Sequence, residues 1–443
     1  MPEYSDSTSQ NGTPEPSGTN ARQSSSDEKV TKQQWKWSIL AGMASYIDAG
    51  SIVALGAGLA LFQEALDLSN TAVGALAAIG PNAIGCAIGS ILGGRLGDTL
   101  GRKRIYQYDL LVYAAGVLCI ALAVNPFMLF LGTFVVGVAV GADIPTSLAL
   151  VGEIAPPKAR GKLLGLTQVA WGLGPVIVLL MSAALASLDL LGIRIVFFHL
   201  FVVAMITWAL RRGLTESVRW KAAAQDLGKA ARPKVRKLFS GVHLRALLWT
   251  GTIYLFWNLA AGTAGIFNPY IIKTLGAGSQ AASVAVTSLA YLVMIAATFL
   301  VFMRFSDRSF ATRKLLWGVG AVLQIFAYGL FLVMPFTIPV IIANIVLFAA
   351  GASLAGEAFY KVFSQELFPT LLRGTAQGIT FGVARTVLGI WSFFVPVLAE
   401  FEIEPVAAIL VGFLIISGSV GFFFMPDTSG RSLEDIEAER AAL

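Results

Sequence analysis

EIAPPKARGKLLG (residues 153–165) and ELFPTLLRGTAQG (residues 366–378) hold Glu, Pro, Arg, Gly and Gly in one register, every pair 213 residues apart. A second pair, RLGDTLGRKR (95–104) and RFSDRSFATR (304–313), agrees at Arg, Asp and the final Arg with an offset of 209. Two matches at nearly one offset read as a unit present twice, head to tail. Each motif borders long apolar runs, so the surrounding composition decides what that unit is.

Hydrophobic residues make up 56% of the 443 and charged residues 13%, and the mean hydropathy is +0.73. Such a chain belongs in a bilayer rather than in water. A helical span needs about 20 mostly apolar residues, and lipid admits only helices or closed barrels. The apolar runs are continuous rather than alternating, which selects helices. Twelve are predicted, at 36–62, 72–94, 105–123, 127–154, 162–187, 192–210, 244–272, 280–303, 313–334, 337–363, 375–398 and 405–425. The fold class is therefore an all-α polytopic membrane protein, twelve transmembrane helices in two pseudo-symmetric halves of six. Gly85, Gly89 and Gly93 give the second span a face of small residues for close helix contact.

Five segments follow: a disordered tail at 1–34, a six-helix half at 35–210, a basic linker at 211–243, a second half at 244–425 and a tail at 426–443. The first is polar and poor in large apolar residues, and lacks the short apolar core of a signal peptide. Lys and Arg crowd one set of connections, including GRLGDTLGRKR, PPKARGK and RFSDRSFATRK, while the opposite set holds only Arg194 and Lys273. That bias predicts that both termini are cytoplasmic. The net charge of +6 thus reports topology in the cell or inner membrane, with no nucleic-acid partner. Cys86 and Cys119 lie inside spans and read as inert thiols. His199 and His243 are the only histidines, and no nucleophile elbow or phosphate-cradling loop accompanies them. Neither an enzyme nor a metal or cofactor site is expected.

GGRLGDTLGRKR (93–104) resembles the loop between the second and third helices of the major facilitator superfamily. EIAPPKARG, TESVRW (215–220), ELFPTLLRG and PDTSGRSLEDIE (426–437) resemble motifs of its sugar porter branch and of neighbouring metabolite:proton symporters, in the family's order. The resemblance covers about 36–437 and implies alternating access. For Asp98, Arg102, Glu153, Arg160, Asp307, Glu366 and Arg373 it implies a cytoplasmic gate of charges that ties the halves together and breaks when that side opens. Lys103, Arg104, Arg308 and Lys314 read as topology charges.

Charges within spans cost about 2.5 to 3.5 kcal/mol each at mid-bilayer on insertion scales, so each should face a cavity or a partner. The five singled out are Asp48, Asp143, Glu357, Lys361 and Arg385. Asp48 sits where proton-coupled sugar porters tend to carry an aspartate. The arginine that the family pairs with it on the fourth helix is here Thr133, and Asp143 stands ten residues deeper in GADIP, similar to a run in phosphate and metabolite:proton symporters. Asp48, Asp143 and Glu357 are the candidate proton carriers. Glu357 and Lys361 are spaced to meet on one helix face, either as a self-neutralising pair or as cavity wall. Gln168 and Asn258 match polar contacts of sugar porters, and Trp171, Asn268, Tyr360, Lys361, Arg385 and Trp391 complete the candidate substrate site.

The expectation is a monomeric proton symporter importing a small sugar, polyol or related metabolite, with a small polar substrate, protons and the lipid bilayer as partners. The rival is an importer of an organic acid or sugar acid bound through Arg385 and Lys361. An uncoupled facilitator, and a sensor on a transporter scaffold, are the further alternatives.

Overall fold

The computed structural model describes residues 29–226, 233–274, 280–398 and 404–442. Within them, the side chains of 70, 226, 265–274, 280–286, 393 and 395–397 lie outside the description. Every predicted span coincides with helix. In order the twelve are Lys32–Ala65, Asn70–Ile79 with Ile84–Leu100, Arg102–Ala121, Pro126–Ile154, Arg160–Ala184, Asp189–Arg211, Gly241–Thr274, Gln280–Ala297 with Thr298–Phe302 and Met303–Phe305, Phe310–Val333, Ile338–Leu354 with Glu357–Glu366, Arg373–Leu398 and Glu404–Phe423. Among the described residues nine are long and apolar enough to cross a membrane by composition alone. The other three are the third, seventh and eleventh. The third carries Arg102, Lys103, Arg104 and Asp109, and the eleventh Arg373 and Arg385.

Local chemistry sets the helix starts. Thr31 and Gln34 form a reciprocal capping box, so the first span begins at Lys32 and takes in three residues assigned above to the tail; residues 1–28 lie outside the description. Ser69, Asn125 and Ser309 cap the second, fourth and ninth spans. The linker holds a helix, Val218–Asp226, and a 3-10 turn, Val235–Phe239, and the last tail a helix, Leu433–Ala442. Two spans expected to be continuous are broken. The second stops at Gly80-Pro81-Asn82-Ala83, where proline lacks the donor an unbroken helix needs, and the tenth at Ala355-Gly356.

The packing order exposes the duplication. In the first half, span one packs on five and six, three on four and six, and two on four. The second half repeats each pairing six spans later: seven on eleven and twelve, nine on ten and twelve, eight on ten. The halves meet along two equivalent seams, two against eleven and five against eight. Gly89 and Gly93 press on Val138 and Ala142 of the fourth span, where an added methyl group would come within 2.1 and 2.3 Å of backbone atoms. Polarity is inverted relative to a water-soluble protein. Arg102, Arg160, Arg211 and Arg313 are fully buried, while Leu180, Val322, Phe326, Ile390 and Phe394 face outward. An exterior of this kind suits hydrocarbon, and the chain is a multi-pass membrane protein.

Candidate functional site

The charged motifs converge at the basic end of the bundle. The Asp98 carboxylate accepts from Arg102 at 2.6 Å and, across the two–eleven seam, from the Gly374 N–H at 3.1 Å and the Thr375 N–H and hydroxyl at 2.6 Å each. It therefore caps the start of the eleventh span. Asp307 does the same for the fifth span, accepting from Gly161 N–H at 2.9 Å and Lys162 N–H at 2.8 Å. Burial pushes the Asp307 carboxyl above the ordinary range, while Arg313 and those N–H groups pull against it.

Glu153 takes Arg102 at 3.0 Å and Arg373 at 3.1 Å, whereas Glu366 takes Arg313 at 2.8 Å and Arg160 at 2.7 Å. The Arg373–Glu153 and Arg160–Glu366 bridges cross between halves, and Arg102 also donates across to the Thr370 carbonyl at 2.6 Å. The seven residues assigned to the gate fall into two equivalent clusters, Asp98, Arg102, Glu153 and Arg373 in one and Asp307, Glu366 and Arg160 in the other. Arg313 is an eighth member that the sequence reading passed over. The repeat held the signal: its partners make it the equivalent of Arg102, whereas the 209-residue register aligned it with Arg104.

Two further motifs brace this network. Gly101 turns the chain with φ +104°, and the Glu216 carboxylate of TESVRW fills the space a side chain would need there, accepting from Arg102 and Lys103 N–H at 3.1 Å each. Trp220 donates to the Asp98 carbonyl at 3.0 Å, and Arg219 donates to the Glu153 carbonyl and pairs with Glu434 of the last helix at 2.6 Å. Glu437 accepts from Thr370.

A second group of charges lies deeper, between the halves. Lys361 donates to Gln168 at 2.7 Å and stands 3.5 Å from Glu357, which accepts from Gln168 at 3.5 Å. The three close a ring spanning the fifth and tenth spans. Glu357 owes its place to the break at Gly356, where the Trp257 indole packs so closely that a methyl group would lie 2.5 Å from its nitrogen. Arg385 reaches across the two–eleven seam to Asn82, at 2.5 Å, in the break of the second span. Asp48 is buried, and Arg385, Glu357, Lys361 and Asp143 are the charges within electrostatic reach of it. Buried polar atoms without a partner among the described residues gather here: Asp48 Oδ1, Asn258 Oδ1, Trp257 Nε1, Arg385 Nε and the Tyr254 hydroxyl. Asn82 and Tyr254 were not singled out from the sequence, which marks them only by a Pro-containing break and an aromatic in an apolar run.

The remaining candidates divide. Tyr360 lies flat on Tyr254, 4.0 Å between centroids, and its hydroxyl is engaged by Thr380 at 2.8 Å and the Gln377 carbonyl at 3.2 Å; it props Tyr254 rather than offering that face. Trp391 donates to Thr263 at 2.9 Å, and Trp171 packs against Tyr291. The Asn268 side chain lies outside the described residues. Asp143 does not join the central group. It pairs with Arg211 Nη1 at 3.0 Å, and Asp109 stands 3.8 Å from the same nitrogen. Arg211, read above as a linker charge, is the last residue of the sixth span and fully buried.

Comparison with known proteins places this geometry. The minor myo-inositol transporter IolF of Bacillus subtilis is 40% identical over 412 residues, 91% of this chain and 93% of that one. The glucose transporter GlcP of Staphylococcus epidermidis is 27% identical over 80% and 86% of the two chains. The proton:xylose symporter XylE of E. coli, bound to 6-bromo-6-deoxy-D-glucose, shares the fold with a TM-score of 0.79 at 18% identity, over 92% of this chain and 98% of that one. The family model of the Major Facilitator Superfamily matches residues 38–396, and with the duplicated six-helix halves and the paired charge motifs at their seams, this chain belongs to that superfamily of transporters.

Proposed function

We propose that the protein is a proton symporter that imports a small neutral polyol or sugar, with myo-inositol the first candidate, by alternating access between its two halves. The similarity to IolF supports the substrate class. The observation that carries the reading is the balance of charge in the central group. Two carboxylates, Asp48 and Glu357, stand with two cations, Lys361 and Arg385, and both cations are already engaged, by Gln168 with Glu357 and by Asn82. A neutral polyhydroxy solute offers donors and acceptors to Asp48, Asn258, Trp257 and Tyr254 without an unmatched charge; an anion would need one of those cations freed. Asp48 is the proton carrier in this reading, and protonation there alters the balance that holds the substrate.

The basic end is then the cytoplasmic side of the cell membrane, with both termini on it, and its network is the gate, closed in the arrangement described. The protein works as a monomer embedded in lipid. Uptake into proteoliposomes at fixed internal pH, with and without an acid-outside gradient, tests the reading. Neutral polyols and sugars are offered beside sugar acids. Gradient-driven accumulation of myo-inositol or another neutral compound is the expected result. Accumulation of acids alone, or uptake indifferent to the gradient, overturns it.

A further inference from the structure

We propose that Asp109 and Asp143, joined by Arg211, form a second proton-holding site that exchanges its proton with Asp48 across a cavity the three carboxyl groups share. The inference rests on the symport reading. Arg211 is clamped: its guanidinium lies 3.4 Å over the Tyr106 ring, donates to the Tyr106 and Leu40 carbonyls at 2.9 and 3.2 Å, and meets Asp143 at 3.0 Å and Asp109 at 3.8 Å. The two carboxyl groups share one nitrogen of Arg211, Nη1, and line the same cavity. One guanidinium balances one carboxylate, so the cluster is neutral when it holds a proton and carries an uncompensated buried charge when it does not. Asp109 Oδ1 accepts from the Leu110 N–H at 2.6 Å, while its buried Oδ2 has no partner among the described residues.

The cavity beside this cluster has room for about one water molecule and is lined by Asp48, Asp109, Asp143 and Tyr113 together with Ala44 and Ile47. Asp48 Oδ1 is equally unpartnered. The other titratable and charged groups around the three carboxyl groups are Tyr106 of the third span, Arg211 of the sixth and, within electrostatic reach of Asp48, Arg385, Glu357 and Lys361 of the second half. The step is a bare proton transfer, from the Asp109–Asp143 pair to the Asp48 carboxylate or back.

The repeat argues against a bracing role. Gate charges occur in both halves, but the positions 209 and 211 residues after Asp109 are Gly318 and Gly320, and those 213 after Asp143 and Arg211 are Gly356 and Phe424. The second half folds on the same packing plan with none of these three charges at the corresponding positions.

The test compares wild type, Asp109→Asn and Asp109→Glu in proteoliposomes with labelled myo-inositol. Exchange at equal pH on both sides needs no net proton movement; accumulation under an acid-outside gradient does. The expected result is that Asp109→Asn keeps exchange, loses gradient-driven accumulation and loses the pH dependence of exchange, and that Asp109→Glu restores both. Infrared spectra should show a protonated carboxyl band at neutral pH in wild type that is missing in Asp109→Asn. Wild-type pH dependence and accumulation in Asp109→Asn overturn the inference, as does an unchanged carboxyl band. Joint loss of exchange and accumulation that Glu does not rescue makes the cluster a brace, which also overturns it. Wild-type uptake indifferent to the gradient is a different failure, that of the symport reading itself.

Discussion

Asp98→Asn removes one charge from the proposed gate while keeping its shape. The carboxylate receives four hydrogen bonds, from Arg102, Gly374 N–H, Thr375 N–H and the Thr375 hydroxyl. An amide offers one oxygen, so its NH2 must face either Arg102 with Gly374 N–H or the Thr375 N–H, a donor set against donors. Breaking a buried ion pair by removing one partner costs about 3 to 5 kcal/mol, and Arg102 retains Glu153 and the Thr370 carbonyl, which points to the lower end, about 3 kcal/mol. The Asp98–Arg102 pair lies within the first half and its loss weighs on both states, whereas the bonds from Gly374 and Thr375 cross the seam. In the gate reading, setting a donor against them costs the closed state alone about 3 kcal/mol, the upper end for a hydrogen bond to a charged group. At 1.4 kcal/mol per factor of ten, the closed-to-open ratio drops by about 100-fold. The variant should insert at wild-type levels yet fail to accumulate substrate. Hydrogen–deuterium exchange in 153–165 and 366–378 should speed up by a comparable factor. The equivalent change, Asp307→Asn, should act in the same direction through the five–eight seam. Normal uptake with unchanged exchange in both segments refutes the gate assignment.

The other seam contacts give a steric version of the same test. A methyl group on Gly378 would lie 2.1 Å from the Ser90 carbonyl oxygen, so Gly378→Ala should cost the closed state about 1 to 3 kcal/mol and open the basic end, read by the same exchange experiment. In the central group, Lys361→Met leaves Glu357 buried without its cation and should cost about 3 kcal/mol or more of thermal stability; Glu357→Gln added to it should recover part of that loss. The outermost pair should matter least. Burial raises the Glu434 carboxyl, but its own backbone N–H and Arg219 outweigh this and hold it below the usual range. The contact is thus fully in force above the ordinary carboxylate pKa and is lost only as pH falls through the lowered value, leaving it constant from about pH 6 to about 8. Glu434→Gln should change stability by at most about 1 kcal/mol and leave uptake near wild type.

The spans and the paired charges at the seams were legible in the sequence for two physical reasons. Lipid forces length and apolarity on each span, which marked all twelve though not the breaks in the second and tenth, and the seam charges are written twice. What escaped was chemistry without a local pattern. Asn82 and Tyr254 are uncharged and enter the site through a helix break and a stacked pair. Arg211 sits at a span end, where a buried cation and a topology charge look alike, and its partner Asp143 lies 68 residues away. Arg313 was misaligned because GRKR places two arginines within reach of one register.

The duplication also separates bracing from function. Asp98 has Asp307, Glu153 has Glu366, Arg102 has Arg313 and Arg160 has Arg373, and each pair makes equivalent contacts on opposite seams. The deeper charges have no such mates: the residues 213 before Glu357 and Lys361 are Ile144 and Leu148, and the one 213 before Arg385 is Gly172. Two halves that close against each other need the same latch on both seams, so a closing device is expected twice. A substrate and its proton are asymmetric and bind once, so the groups that hold them are free to differ between halves. In the proposed reading Asp48, Glu357, Lys361 and Arg385 serve the cargo and the duplicated charges serve the closing of the halves, and exchanging the cargo should require changes in the first set alone.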